Sequence, residues 1–473
     1  MVHDGSTDNT REVVNSIDDD RLRYIYQEKR GLAAGSNPAG LLGLSVGLVP
    51  GAVVTDAGSA LVLQVAPDGG RASDQLMDSR MTVICLSNIP WDYPWQRTHA
   101  LMTRFAQQCQ VLIVEPTGIY NSWSLRKLLA AAQRLATVVL RHRPWTRYTA
   151  DVFQGRILSP LIVPFHSLQI GHPVRQLNYR LLLWQISRQM ALDSAARTII
   201  WVTYPSDNNL DLARTWTEPR TVVYDCAAGY TQHPQATALV AQLERELVAI
   251  SDLVLVDTRA SLANFCAMSP RMHYLPQGVE EFFFEALPED SIRAEVRRAV
   301  KAGPTAQLIG YVGSLHEWVD LSLLTRLAAA YPDAVLVLVG PIQTDVSQLR
   351  DYPNVRFLGS QPHRLLPRYI EAFDVGLIPY HIAPFTGHVF PTKLFEYLAR
   401  GKPVVMTNFN PVDLQEYAEL MYIALDADTF VAQVGEALAE AKPRLVAQRR
   451  QAAQANSWDR RFAAVVKLLA ESG

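Results

Sequence analysis

One stretch near the carboxyl end decides the expected fold: Asp374-Val375-Gly376-Leu377-Ile378-Pro379, a loop, and then Pro391-Thr392-Lys393-Leu394-Phe395-Glu396-Tyr397. The first run is a short apolar strand, and the loop is rich in Pro, Gly and His. A helix is expected to begin at Pro391, because proline at the first helical position has no N–H to leave unpaired. A helix that starts at the carboxyl end of a strand offers open N–H groups and a positive dipole to an anion.

Two charged side chains make this anion site more specific. Lys393 adds a full positive charge, and Glu396 follows one turn later on the same side of the helix. The pair suits a sugar nucleotide, with the diphosphate on Thr392, Lys393 and the helix start and the ribose hydroxyls on the carboxylate. We expect the rest of the chain to build a cleft over this site.

The composition is that of an ordinary globular protein. The chain has 473 residues, 49% apolar and 19% charged, which predicts two or three domains. The net charge of −2 gives no reason to expect a nucleic acid partner. The four cysteines form no C-x-x-C pair, so neither a zinc site nor a disulfide framework is expected, and a cytoplasmic location is favoured. The polar N-terminus predicts no signal peptide, and no apolar run is long enough to span a membrane.

The first domain is expected at residues 81–280. Apolar runs at 82–87, 111–115, 198–203, 221–225 and 253–257 predict buried parallel strands alternating with helices, a Rossmann-like α/β arrangement. No G-x-G-x-x-G follows a strand, so a dinucleotide cofactor is not expected. In the aromatic loop after the first strand, Arg97 and His99 could reach a substrate across the cleft. The alternative is that Trp91 and its aromatic neighbours pack the loop while Arg97 pairs with a carboxylate.

Asp225 ends one of these strands and is expected to point into the crevice. A carboxylate there can orient an acceptor hydroxyl or take its proton. The alternative is that Asp225 caps the following helix.

The second domain is expected at residues 281–455, with a last helix at 456–473 that returns to the first domain. Strand 307–312 ends in the turn Gly313-Ser314, and Asp320 is predicted to cap the next helix. Further strands end at Gly340 and Gly359, where glycine permits either a sharp turn or a close approach of the backbone to a ligand.

These motifs resemble those of a known family. The matching segments are Gly310-Tyr311-Val312-Gly313-Ser314, Leu338-Val339-Gly340-Pro341, Asp374-Val375-Gly376-Leu377 and Lys393-Leu394-Phe395-Glu396-Tyr397. Their order and spacing are similar to those of the two-domain GT-B glycosyltransferases of the retaining family 4 type. Pro90-Trp91-Asp92-Tyr93-Pro94-Trp95 resembles the subgroup of teichuronic-acid and other exopolysaccharide glycosyltransferases. The resemblance implies two Rossmann-like domains that face each other across a cleft.

The resemblance also implies roles for individual residues. Glu396 matches the glutamate that binds the donor ribose, Pro391, Thr392 and Lys393 match the diphosphate-binding segment, and Gly313 matches the glycine turn beside the phosphates. His388 stands where the family often has a second glutamate. His316 and its neighbours replace a usual Arg and Lys. His316, Ser314 and His388 are counted with the donor-binding residues.

The function that this resemblance implies is transfer of a sugar from a nucleotide-diphosphate sugar to a saccharide or lipid-linked acceptor in cell-surface polysaccharide synthesis. Neither a cofactor nor a metal ion is expected, and the family implies retention at the sugar carbon. Asp225, His99 and Lys393 are the candidate catalytic residues, with Trp91, Arg97 and His99 on the acceptor side. The alternatives are a sugar-nucleotide 2-epimerase and a non-catalytic component of a polysaccharide assembly complex.

Two further segments raise separate expectations. Residues 1–40 resemble part of a GT-A (family 2) glycosyltransferase through Asp4-Gly5-Ser6-Thr7-Asp8, and 1–80 is expected to be a truncated, poorly ordered remnant and linker, too small to close a core. Residues 121–190 contain Arg-rich helical patterns with Trp. Such helices can lie on the anionic inner face of a plasma membrane, although solvated helix faces explain them as well.

Overall fold

The computed structural model describes residues 2–3, 25–26, 81–116, 153–160, 172–190, 197–216, 220–227, 229–233, 236–266 and 268–472. The chain divides into two compact units, Met1–Asp68 and Gly69–Gly473. In the first unit, two short described strands, β1 (Val2–His3) and β2 (Ile25–Tyr26), pair in parallel. The predicted remnant at 1–80 lies almost entirely outside the described residues, as does the predicted helical sequence at 121–152.

Within the second unit, the first half is built on a parallel sheet with the order β5-β4-β3-β6-β7-β8-β9. Its strands are β3 (Thr82–Leu86), β4 (Gln110–Val114), β5 (Arg156–Leu158), β6 (Thr198–Val202), β7 (Arg220–Cys226), β8 (Leu253–Val256) and β9 (Met272–Tyr274). Its described helices are α1 (Arg97–Ala106), α2 (His172–Gln189), α3 (Asp207–Thr215), α4 (Ala238–Ile250) and α5 (Arg259–Phe265).

Apolar clusters cover both faces of this sheet, which explains why its strands read as continuous apolar runs. One cluster lies under α2, α3 and α4, and the other under α1 and the last helix of the chain. In β3, for example, Ile84 faces the first cluster and its neighbour Cys85 faces the second.

The second half has its own parallel sheet, with the order β12-β11-β10-β13-β14-β15. Its strands are β10 (Leu308–Val312), β11 (Val335–Val339), β12 (Val355–Gly359), β13 (Val375–Ile378), β14 (Val404–Thr407) and β15 (Tyr422–Ala424). The helices of this half are α6 (Glu289–Ala299), α7 (Leu321–Ala330), α8 (Ser347–Arg350), α9 (Leu366–Ala372), α10 (Thr392–Ala399), α11 (Pro411–Leu414), α12 (Ala427–Leu438) and α13 (Pro443–Ala455). Asp320 caps α7, as predicted, since its carboxylate accepts from Ser322 N–H at 3.0 Å.

The chain crosses between the halves twice, and the two crossings pair with each other. The linker residue Val279 donates its N–H to the Asn456 carbonyl (3.1 Å) and accepts from the Trp458 N–H (2.9 Å). The last helix, α14 (Trp458–Glu471), then packs on the first sheet, where the ring of Phe462 meets Phe105 at 4.8 Å, edge to face.

The predicted fold class is confirmed: two α/β halves, each with a parallel sheet. No helix among the described residues has the length and apolar character needed to cross a membrane.

Candidate active site

The site is built at the carboxyl edge of the second sheet, where two glycine turns touch. Gly313 follows β10 with φ +137°, and Gly340 follows β11 with φ +148°. A Cβ on Gly340 would lie 2.0 Å from the Gly313 carbonyl oxygen. Only glycine fits this contact, because any side chain at Gly340 would push the two turns apart.

The ammonium group of Lys393 lies beside this turn. A Cβ on Gly313 would lie 3.1 Å from Lys393 Nζ. The Lys393 ammonium donates a hydrogen bond to the Tyr380 hydroxyl, and it lies 4.8 Å from the ring centroid of Tyr380 and 5.4 Å from that of Tyr311. Two aromatic rings thus stabilise the cation against the bare backbone of the turn.

Helix α10 presents its N-terminus here, but it begins one residue later than predicted. Pro391 is the N-cap residue, with ψ 101°, and Thr392 is the first helical residue. The cause is that Pro391 keeps an extended backbone as it leaves the loop. No side chain caps the helix, and Leu394 N–H bonds back to the Pro391 carbonyl at 3.0 Å, so the N–H groups of Thr392 and Lys393 stay open to a ligand.

Glu396 lies one turn along this helix with its side chain only 10% exposed. Its Oε1 is 3.1 Å from Nε2 of His363, which follows β12. The carboxylate is therefore held in place by a neighbour that the motif did not indicate.

His316, in the loop after the glycine turn, is a neutral imidazole near neutral pH. Burial, aided by the Lys393 charge, lowers the pKa of His316 to about 4. Its Nδ1 accepts from the Trp318 N–H at 3.1 Å, so Nε2 carries the proton. His316 can donate one hydrogen bond to an anion but supplies no positive charge.

His388 lies between the two halves. A Cβ on Gly229, in the first half, would lie 2.8 Å from the His388 Cβ, and His388 Nδ1 is 3.4 Å from Ser261 Oγ. Burial lowers its pKa. The site that the family pattern gives to a glutamate is thus filled here by a side chain that packs across the interface.

The predicted acceptor-side residues come together, but they lie inside the protein. Trp91, Arg97, His99 and Asp225 are all less than 5% exposed. Arg97 Nε donates to Asp225 Oδ1 at 2.7 Å, and Trp201 Nε1 donates to Asp225 Oδ2 at 3.3 Å. Both carboxylate oxygens of Asp225 accept these hydrogen bonds, so the prediction that Asp225 points into the crevice is wrong. The alternative that it caps the next helix is also wrong, because Thr237 caps helix α4.

His99 completes a capping box at the start of α1. Its Nδ1 accepts from the Gln96 N–H at 3.1 Å, and its Nε2 lies 3.0 Å from the Trp91 carbonyl oxygen. Burial lowers the pKa of His99 to about 4, so the ring is neutral and Nε2 donates. No ring nitrogen remains for a substrate, because Nδ1 is used by the capping box and Nε2 by the Trp91 carbonyl. The contacts therefore match the alternative given for this loop, in which Trp91 and its aromatic neighbours pack the loop and Arg97 pairs with a carboxylate.

The aromatic residues around Lys393 were not recognised from the sequence. Tyr311 lies within β10 and Tyr380 lies two residues after the end of β13, so each looks like an ordinary core residue in the sequence. Their position at the carboxyl ends of β10 and β13 is the signal that could have found them. Among the described residues, no group of three or more His, Cys, Asp or Glu side chains is placed to hold a metal ion.

Comparison with known proteins agrees with this geometry. Residues 306–440 match the family model described as glycosyl transferases group 1. TuaH of Bacillus subtilis (strain 168), which is named as a glycosyltransferase of teichuronic acid biosynthesis, is 28% identical over 229 residues. These residues are 45% of this chain and 56% of TuaH, so the chain spans little more than half the length of this curated relative.

Solved structures show the fold. HepE of Anabaena in complex with UDP is 14% identical with a TM-score of 0.55, and sucrose-phosphate synthase of Thermosynechococcus elongatus is 16% identical with a TM-score of 0.60. Each comparison covers 83% of this chain and 99% of the other. The family resemblance drawn from the motifs is confirmed at the level of the family model: residues 306–440 match the group 1 glycosyltransferases, within a chain that has the GT-B fold.

Proposed function

We propose that the chain transfers a sugar from a nucleoside-diphosphate sugar to a saccharide or lipid-linked acceptor in cell-surface polysaccharide synthesis. One observation carries the proposal: the open start of α10, the Lys393 ammonium and the Glu396 carboxylate converge beside the Gly313 turn. The named roles of TuaH and the UDP bound to HepE support this choice of donor and pathway.

In this proposal the donor diphosphate lies against the open N–H groups of Thr392 and Lys393. When the bond between sugar and diphosphate breaks, negative charge develops on the leaving diphosphate. The helix dipole and the Lys393 ammonium stabilise that charge where it forms, so the proposal assigns this task to the protein rather than to a metal ion. Glu396 accepts from a ribose hydroxyl, and retention at the sugar carbon follows from the family resemblance.

The acceptor enters from the first half in this proposal. Because Trp91, Arg97, His99 and Asp225 are buried, we propose that they support the acceptor-binding surface from beneath and do not contact the acceptor. His388 of the second half lies at the boundary with this side, where its Nδ1 is 3.4 Å from Ser261 Oγ.

A donor screen followed by a turnover assay tests the function. UDP-, GDP- and ADP-sugars are compared by thermal shift, since a ligand that binds the folded state raises the melting temperature. Release of the nucleoside diphosphate is then followed with candidate acceptors. A charge-assisted hydrogen bond from ribose contributes about 1.5–3 kcal/mol, so Glu396→Ala should weaken donor binding at least tenfold, whereas Glu419→Ala, on an exposed surface, should not.

No shift with any donor and no release would refute the transferase proposal. Conversion of the donor to an epimer without transfer would identify a 2-epimerase instead. Donor binding without turnover against any acceptor would favour the non-catalytic component.

We further propose that helix α2 contacts the inner face of the plasma membrane. Its exposed side carries Leu177, Arg180, Trp184 and Arg188, and the Arg188 guanidinium lies 5.3 Å from the Trp184 ring centroid. Cationic and aromatic side chains together favour an anionic bilayer surface. We expect the protein to sediment with phosphatidylglycerol vesicles but not with phosphatidylcholine vesicles, and Trp184→Ser should weaken the sedimentation. Equal sedimentation of the wild-type and Trp184→Ser proteins with phosphatidylglycerol would refute the contact.

A further inference from the structure

We propose that His363 is a positioning residue, which sets the carboxylate of Glu396 for the donor ribose and couples it to Trp95 of the first half. This inference rests on the proposed function, because it concerns how the same donor site is held. Family motifs gave a role to Glu396 but none to His363 or Trp95.

The first step is the contact between His363 and Glu396. Nε2 of His363 is 3.1 Å from Glu396 Oε1, and the two side chains are only 18% and 10% exposed. A carboxylate can only accept, so Nε2 carries the hydrogen and donates. This bond occupies one oxygen of Glu396 and leaves Oε2 without a partner among the described residues, free to accept from a ribose hydroxyl.

The second step is the packing that fixes the His363 ring. The indole of Trp95 stacks on it with centroids 5.6 Å apart and planes at 15°. Phe282 meets the ring edge to face at 5.2 Å, and Phe283 lies at 5.5 Å. A ring enclosed on these sides cannot turn its Nε2 away from the carboxylate without breaking the stack.

The third step is that Trp95 is itself held by the first half and the linker. Its ring stacks on His99 at 5.4 Å, and its Nε1 donates to Glu280 Oε1 at 2.9 Å. Arg104 of α1 donates to the other oxygen of Glu280 at 2.9 Å. The place of Trp95 therefore depends on the first half, whereas Glu396 belongs to the second.

Together these contacts form a path from α1 to the donor carboxylate. If the halves separate, Trp95 leaves the face of His363, and the ring gains freedom to release Glu396. The position of the Glu396 carboxylate therefore depends on contact between the two halves, so the donor is bound most tightly when the halves are together.

The test is ribose discrimination, measured by calorimetry as the ratio of dissociation constants for a 2′,3′-dideoxynucleoside diphosphate and the ordinary nucleoside diphosphate. The pair is made with whichever of UDP, GDP and ADP the wild-type protein binds most tightly. The ratio is taken on one preparation, so a loss of folded protein does not alter it. A merely structural defect would weaken both nucleotides equally.

Two substitutions at His363 separate its two contacts. His363→Phe keeps a ring against Trp95 but cannot donate, and it should lower the ratio about tenfold, the cost of one misplaced hydrogen bond to a charged group. His363→Gln keeps an N–H donor at a similar distance from the backbone and should retain the ratio to within about threefold. An unchanged ratio in His363→Phe, or an equal loss in both variants, would overturn the positioning role.

A double-mutant cycle tests the coupling to Trp95. Trp95→Leu should lower the ratio about threefold in the wild-type background and should have no further effect in His363→Phe, because the path is already broken there. Independent, additive effects would overturn the coupling.

The outcomes for the two proposals are distinct. A wild-type protein that binds none of the three nucleoside diphosphates overturns the proposed function and this inference with it. A wild-type protein that binds one of them and discriminates ribose, with His363→Phe behaving identically, overturns this inference alone.

Discussion

At Gly313 the backbone lies so close to the Lys393 side chain that an added Cβ would require the lysine to shift. The residue has φ +137°, and a Cβ there would lie 3.0 Å from Lys393 Cε and 3.1 Å from Nζ. Positive φ is costly for residues with a Cβ, so glycine is needed for the backbone as well as for the lysine. The same residue thus fixes the turn and the position of the cation.

Gly313→Ala should therefore lower the free energy of unfolding by about 1–2 kcal/mol and also weaken binding of the donor by displacing the ammonium. Urea denaturation and calorimetry with the donor measure the two effects. Gly303→Ala is the matched control, because a Cβ at Gly303 meets nothing within 4 Å. Equal behaviour of the two variants would show that Lys393 adjusts freely.

Asp257 is a second residue whose environment decides its behaviour. It is fully buried at the end of β8, accepts from Gln277 Nε2 at 2.9 Å, and its Oδ1 has no partner among the described residues. Burial raises the pKa of Asp257 to about 7, although Arg97 opposes the rise. The folded protein therefore keeps a proton that the unfolded chain releases near pH 4.

This difference predicts a pH dependence with a definite sign. Between about pH 4 and 7 the folded state binds more protons than the unfolded state, so the contribution of Asp257 to stability falls as the pH rises. Asp257→Asn should be more stable than wild type at pH 7.5, and the gap should close towards pH 4. The exposed Asp333→Asn serves as control in urea melts across this range. A gap that widens on acidification would contradict the raised pKa.

The candidate site was predictable from sequence only for residues whose neighbours in the chain define their role. Lys393 and Glu396 could be placed because both lie on one helix that begins after a strand. The positions of Arg97, His99 and Asp225 at or after strand ends predict that they face the cleft. The structure pairs Arg97 with Asp225 across 128 positions of sequence, a contact that no local pattern contains.

At the scale of elements, α14 is the helix whose packing matters most for the first half. The cluster that buries this helix contains Val83 and Trp201 of the first sheet, Phe105 of α1, and from α14 itself Trp458, Phe462, Val465, Val466 and Leu469. The last helix of the chain thus helps to cover a face that carries apolar side chains of β3, β4, β6, β7 and β8. The stability of the first half depends on a segment that follows the second half in sequence.

Phe462→Ala should lower the free energy of unfolding by about 3–5 kcal/mol, the usual cost of removing a buried aromatic ring. Denaturant unfolding followed by tryptophan fluorescence measures it. Lys467→Ala on the exposed side of the same helix should change stability by less than about 0.5 kcal/mol, since it loses only a surface ion pair with Glu471. A loss below 1 kcal/mol for Phe462→Ala would mean that α14 is not docked in solution.

At the scale of the whole molecule, Asp413 of α11 joins the two halves. It is buried, and its Oδ1 accepts from the Arg259 N–H and from the Tyr274 hydroxyl, both at 2.9 Å. Arg259 also pairs with Glu416 at 3.2 Å. These contacts lie beside His388 and Ser261, so they hold the halves together close to the cleft.

Asp413→Ala should loosen the closed arrangement. The residues proposed to contact the donor all belong to the second half, so donor binding should weaken only through the loss of Trp95 from the face of His363. Small-angle scattering should give a larger radius of gyration, and turnover should fall at least tenfold while the donor dissociation constant stays within about threefold. Asp428→Ala, which removes an exposed ion pair with Arg326, is the control. An unchanged radius and turnover would show that Asp413 does not hold the halves together.

The sequence by itself determined the two parallel sheets, their alternation with helices, the resemblance of residues 306–440 to a family and the existence of helix α10 after β13, because apolar runs and helix starts are local in the chain. Tertiary structure alone decided which polar groups face the cleft. Strand ends bring distant residues together, so His363 came to hold Glu396, and Tyr311 with Tyr380 came to surround Lys393. Asp225 and His99, which the sequence offers as candidate catalytic groups, are buried in the core, and no local sequence pattern specifies that burial.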